Sequence, residues 1–114
     1  MGRTYQLFLD SDRVYTCSTC YAHLASYGDV ISRGFHGRQG PAYLFDKVVN
    51  VSYGRKEHRP LMTGLHTVVD IHCGICQVNV GWKYIKAYEH SQKYKEGRFV
   101  LEKHRIVKET QWKD

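Results

Sequence analysis

Four cysteines make up the whole thiol content of this 114-residue chain, and they form two Cys-x-x-Cys pairs, Cys17/Cys20 and Cys73/Cys76. Two residues between a pair of thiols let both sulfurs reach one ion from a tight turn. Two such turns close a tetrahedral shell of four thiolates, with no open position for water or substrate. The pairs are separated by residues 21–72, so one ion would staple an early part of the chain to a distant part. A single structural Zn2+ held by Cys17, Cys20, Cys73 and Cys76 is the expectation. A mononuclear iron site uses the same four thiolates, and spacing does not separate the two metals. Disulfides do not need the two-residue spacing twice and are rare where thiols stay reduced. A thioredoxin-like redox motif needs only one pair, in a βαβ context.

A chain of this length fits one domain, residues 1–114, with a modest core that a metal crosslink would supplement. The 42% hydrophobic and 13% aromatic content argues for a folded globule. Nine tyrosines and only two prolines suit β structure. The formal charge is +6. Four thiolates around one zinc dication bring the loaded chain to about +4. The signs are interspersed, and no basic cluster interleaved with aromatics stands out along the sequence. Nucleic acid is therefore a weak expectation. There is no long apolar run and no lipidation motif, since Gln6 replaces the Ser or Thr that N-myristoylation wants. The default is a soluble intracellular protein.

Strand signals recur along the chain with turns between them. Thr4–Leu9 reads as a first strand, and Val14–Thr16 leads into the first cysteine turn. Ser32–Gly40, with three glycines, reads as a loop. Ala42–Tyr53 carries the strongest strand pattern, with a bend at Asp46-Lys47. Arg55–Pro60 reads as a polar connection. Leu65–His72 enters the second cysteine turn and Val78–Tyr88 leaves it. Glu89–Gly97 has the composition of a helical turn, and Arg98–Lys108 returns as a strand. Many short strands and few helical periods predict an all-β architecture.

Further spaced residues carry a resemblance. After Cys20 come Gly40, Leu44, Asn50 and Gly64; after Cys76 come Gly81-Trp82-Lys83-Tyr84, Lys95 and Glu102. This pattern resembles the Yippee family signature along the whole chain, with every spacing kept. The blocks Ala42–Phe45, Lys47–Val51, Thr63–His66 and Ser91–Gly97 look like family blocks too. The resemblance implies a β-tent: two antiparallel sheets clamped by a four-cysteine zinc site. It also implies kinship of fold with the thalidomide-binding domain of cereblon, a centromere-licensing factor family and methionine sulfoxide reductase B. Fold kinship does not transfer function.

The reductase relative needs a cysteine beyond its metal ligands, and none is left over here, so no enzymatic activity is expected. The cereblon-like relative holds its ligand in an aromatic cage. Trp82 and Tyr84 stand two apart on a strand and face one side of the sheet. With His66 and Phe35 they outline a half-cage for a small molecule or modified peptide. Aromatics in small β domains more often pack than bind, so packing at the sheet interface is the default for this pair. The resemblance further implies a non-enzymatic, monomeric protein-interaction module. Such a module would be an adapter or regulatory subunit in growth and cell-cycle control, with a ubiquitin-ligase assembly as partner and the nucleus, cytoplasm or centrosome as its location.

Overall fold

The computed structural model describes residues 5–111. Nine strands form two antiparallel sheets. In chain order they are β1 (Arg13–Cys17), β2 (His23–Ser26), β3 (Val30–Gly37), β4 (Gly40–Phe45), β5 (Val51–Leu61), β6 (Gly64–Cys73), β7 (Asn79–Ala87), β8 (Phe99–Glu102) and β9 (Ile106–Thr110). The smaller sheet has the order β2-β1-β9, the larger β3-β4-β8-β7-β6-β5. Short 3-10 turns at Tyr27–Asp29 and Lys103–Arg105 carry the chain from one sheet to the other, and a third occupies His90–Lys95. No helix among the described residues is long and apolar enough to cross a membrane.

Both faces of the larger sheet are apolar, because successive side chains of a strand alternate between faces. On β4, Phe45 and Tyr43 point one way, while Ala42 and Leu44 point the other; on β8, Phe99 and Leu101 oppose Val100. The first face packs against the smaller sheet through Tyr15, Cys17, Leu24, Ala25 and Ile106. Tyr15 meets Phe45 edge-on with ring centres 5.4 Å apart. The second face gathers Ala42, Leu44, Val68, Tyr84 and Val100, flanked by Phe35, Leu61 and Trp82.

Gly81 sits where β7 is sandwiched between Ile71 of β6 and Leu101 of β8. A Cβ there would run into the Val100 carbonyl, so only glycine permits this close approach.

Several expectations need correction. Ser32–Gly40 is a hairpin, β3 to β4, with its glycines inside the ladder. Gly37 has no side chain because the Glu102 carboxylate occupies that space. Arg55–Pro60 belongs to the eleven-residue β5. Among the described residues this strand pairs only with β6 and is exposed along most of its length, hence its loop-like composition. Charges and a proline are what an edge strand carries to discourage further pairing. The Ala42–Tyr53 run is broken: β4 ends at Phe45 and β5 begins at Val51. Arg98–Lys108 is likewise two strands in two different sheets.

Thr4 lies outside the described residues, and Tyr5–Leu9 forms no strand. That segment is held by side chains instead. Asn50 accepts from the Leu7 N–H and donates to the Leu7 carbonyl, both at 2.8 Å, and His23 Nδ1 accepts from the Leu9 N–H at 2.9 Å.

Candidate metal centre and aromatic cavity

The two cysteine turns are near-copies at the ends of two hairpins. Each first cysteine donates its N–H across the hairpin, Cys17 to Ala22 and Cys73 to Val78, both at 2.8 Å. Each first cysteine also accepts from the residue after the second cysteine, Tyr21 or Gln77, again at 2.8 Å. Those two residues are left-handed, at φ 65° and 70°. The amide after each first cysteine is taken by a distant carbonyl: Ser18 N–H by Arg105 at 2.9 Å, Gly74 N–H by Asn50 at 2.7 Å. Asn50 is itself left-handed at φ 59°, and its side chain donates to the His23 carbonyl at 2.7 Å. One residue thus ties the second cysteine turn to the strand leaving the first.

The four sulfurs all lie within 4.8 Å of one another. Two pairs meet between turns, Cys17–Cys76 at 3.6 Å and Cys20–Cys73 at 3.5 Å. A tetrahedron with zinc–sulfur bonds of about 2.3 Å has edges of about 3.8 Å, so the set fits one ion. All four cysteines are free of disulfides. Burial pushes the Cys20 thiol up to about 12 and raises Cys76 as well. Burial also acts upward on Cys17, but the backbone N–H groups of Cys20 and Thr19 outweigh it and bring that thiol down. Four neighbouring thiolates need a cation to coexist. When bound, a zinc dication supplies that charge and fixes the two hairpin tips to each other.

A second feature lies on the other face of the larger sheet. A cavity of about 610 Å³ is floored by β6, β7 and Glu102 of β8. It is bounded by the β3–β4 hairpin, the Leu61–Thr63 corner and the 3-10 turn carrying Tyr94 and Lys95. Phe35, Trp82 and Tyr84 line it. Trp82 and Tyr84 meet edge-on with ring centres 6.3 Å apart. His66 does not reach the cavity; it is fully buried behind Tyr84, ring centres 5.2 Å apart. Its Nδ1 bonds the Gly64 carbonyl at 2.9 Å, leaving a buried Nε2 without a partner. Burial raises the Tyr84 phenol; the Trp82 indole N–H opposes that rise but makes no aligned bond to it.

Two charged residues here escaped the residue-level reading. Lys95 is only 4% exposed. Its ammonium stands 5.3 Å from the Phe35 ring centre, 5.2 Å from Tyr84 and 6.0 Å from Tyr94, and donates to Thr63 Oγ1 at 3.1 Å. No carboxylate pairs with it among the described residues. Burial lowers its pKa from the ordinary 10.5. Glu102 is 6% exposed and, among the described residues, accepts only a long bond, 3.4 Å, from the Gln39 N–H. Both positions belong to the spaced pattern quoted above, which was the available signal. Arg59, by contrast, is neutralised by Glu57 at 2.7 Å and Asp70 at 3.0 Å.

The structure also gathers basic residues that the sequence scatters. Arg13, Arg33 and Lys108 converge on the Tyr27 ring at 5.5, 4.8 and 5.1 Å. None of them forms an ion pair among the described residues. A basic group interleaved with tyrosines therefore does exist, assembled from three strands.

Comparison with known proteins agrees with this geometry. A family model described as Yippee zinc-binding/DNA-binding /Mis18, centromere assembly, matches residues 13–114. Protein yippee-like 3 of Homo sapiens is 51% identical over 111 residues, covering 96% of this chain and 93% of that protein. Protein yippee-like 3 of Danio rerio is 52% identical over 112 residues, covering 97% and 94%. Among solved structures, the crystal structure of the Mis18 'Yippee-like' domain superposes with a TM-score of 0.69. It covers 89% of this chain and 98% of that one, at 12% identity, a likeness of fold. Two antiparallel sheets, a four-cysteine centre shaped for one zinc ion and near-full-length relatives at half identity place this chain in the Yippee family.

Proposed function

We propose that this chain is a zinc-clamped, non-catalytic recognition module. It acts as a monomeric adapter or regulatory subunit in growth and cell-cycle control, within a ubiquitin-ligase assembly, in the nucleus and cytoplasm. The observation that carries this reading is a division of labour. All four thiols converge on one centre, whereas the opposite face of the larger sheet holds an open aromatic recess. Met62, fully exposed, and Leu61 form an apolar rim to that recess, as an interaction surface requires. The test is affinity capture from cells with the zinc-loaded chain and with Met62→Asp and Trp82→Ala variants. Stable protein partners should be recovered and then lost from the variants while zinc content stays constant. Recovery of no stable protein by the zinc-loaded wild type would sink the reading.

A second reading is a receptor for a small molecule or modified peptide, favoured by Phe35, Trp82 and Tyr84 around one cavity. Tryptophan fluorescence titrated with such ligands tests it, and a flat response in wild type and Trp82→Ala alike would end it. Nucleic acid is the lesser reading; the cations around Tyr27 support it, and it requires binding that weakens steeply with salt.

A further inference from the structure

Lys95 is the anomaly of this fold. A buried ammonium is costly unless a counter-charge and hydrogen bonds compensate it. Here one of its three N–H groups reaches Thr63, and the rest face aromatic rings. Ring faces stabilise a cation by of order 1–2 kcal/mol but do not replace an anion. Across the same cavity Glu102 is an acceptor-only group, nearly buried, with a single weak donor. They share this cavity with Phe35, Leu61, Trp82 and Tyr84, and with polar neighbours such as Arg38 and Gln92. The volume, about 610 Å³, falls in the usual range for ligand sites. An occupant complementary to this set carries an anion, an N–H donor close to it and an apolar body.

We propose that the cavity binds the C-terminal residue of a partner polypeptide, its free carboxylate on Lys95, its last amide N–H on Glu102 and its side chain against Phe35, Leu61 and Trp82. This rests on the reading of the chain as a recognition module and names what the module reads. A chain end fits better than an internal acidic residue. The recess is walled by two hairpins and a turn, so a terminus enters end-on, whereas an internal residue must bring chain in and lead it out again. In a terminal residue the carboxylate and amide N–H share one Cα, which couples the two contacts. The lowered pKa of Lys95 agrees with an ammonium awaiting a counter-ion, and an arriving carboxylate would raise it.

Three probes test the inference on the full zinc-loaded chain: N-acetyl-alanyl-phenylalanine with a free carboxylate, its C-terminal amide, and an amidated peptide with an internal glutamate. Tryptophan fluorescence and the Lys95 side-chain NMR signals are read during titration. The free acid should bind, raise the Lys95 pKa and exceed both other probes about tenfold, the size of a charge-assisted contact. Lys95→Met should abolish that preference, and Glu102→Gln should weaken the free acid by several fold. Equal binding of acid and amide, a preference for the internal glutamate, or no binding of the free acid at millimolar concentration would each overturn the inference. If in addition cellular partners survive Lys95→Met, the module reading stands while the terminal-carboxylate assignment falls.

Discussion

Asn50 shows how much one side chain carries here. It adopts a left-handed backbone, bonds Leu7 twice, reaches His23 and offers its carbonyl to Gly74. Asn50→Ala should cost about 2–3 kcal/mol, from lost bonds plus alanine strained at positive φ. Asn50→Gly should cost less, because glycine removes the strain and keeps the carbonyl contact. Equal losses for the two in denaturant titrations would refute that partition. Lys95→Met makes the opposite prediction. Removing a buried, acid-free ammonium should raise Tm, since a folded-state lysine pKa below 10.5 means the charged form opposes folding. The sign follows: the unfolded chain holds that proton more tightly, so wild-type stability should rise with pH on the approach to 10.5, and the variant should lose that slope. A lower Tm in Lys95→Met would show that the cation holds the aromatic box together. At this scale the cysteines were legible because their spacing is local. Trp82 and Tyr84 were singled out through the resemblance and Phe35 as the large apolar residue of a glycine-rich stretch, and all three line one cavity. The Lys95 box was not, because Phe35, Thr63, Tyr84 and Tyr94 come from four separate stretches.

Among the elements, β7 and the turn after it were readable, having clear strand and polar-turn composition. The hairpin β3–β4 and the edge strand β5 were not. Alternation marks a strand with one face buried, and β5 is exposed along most of its length. The glycines of β3–β4 look like loop signals, but Gly37 makes room for Glu102 and Gly40 supplies a positive φ of 127° at the hairpin turn. The strand break after Glu102 was also hidden, because continuous β-forming composition does not show where a chain changes sheets; the break after Phe45 leaves the chain in the larger sheet and falls at the bend expected at Asp46-Lys47. Gly81 gives the element-scale prediction. Its Cβ would strike the Val100 carbonyl in the middle of the ladder, so Gly81→Ala should cost about 3 kcal/mol by forcing β7 and β8 apart. Hydrogen exchange should localise the loss to β7 and β8. Unchanged protection there would show that the ladder yields without cost.

For the whole molecule, the metal outweighs any single packing contact. Structural zinc contributes on the order of 10 kcal/mol, comparable to the full stability of a small domain. Excess chelator, or Cys73→Ser, should therefore abolish cooperative melting by circular dichroism, and acid should do the same as protons displace the ion. A metal-free chain with an unchanged melting curve would contradict this. The all-β class was foreseeable from the recurring strand signals, and the arrangement of two sheets from the family resemblance. Which strand enters which sheet was not.

One topological fact bears on how the molecule is made. β9, the last of the described strands in chain order, pairs with β1, the first of them, and Arg105 just before β9 holds the amide of Ser18. Until β9 has emerged from the ribosome, the first zinc-binding turn lacks both that neighbouring strand and that support. The metal centre therefore gains its full support only once β9 is in place, and until then those thiols stand open to oxidation or to stray metals.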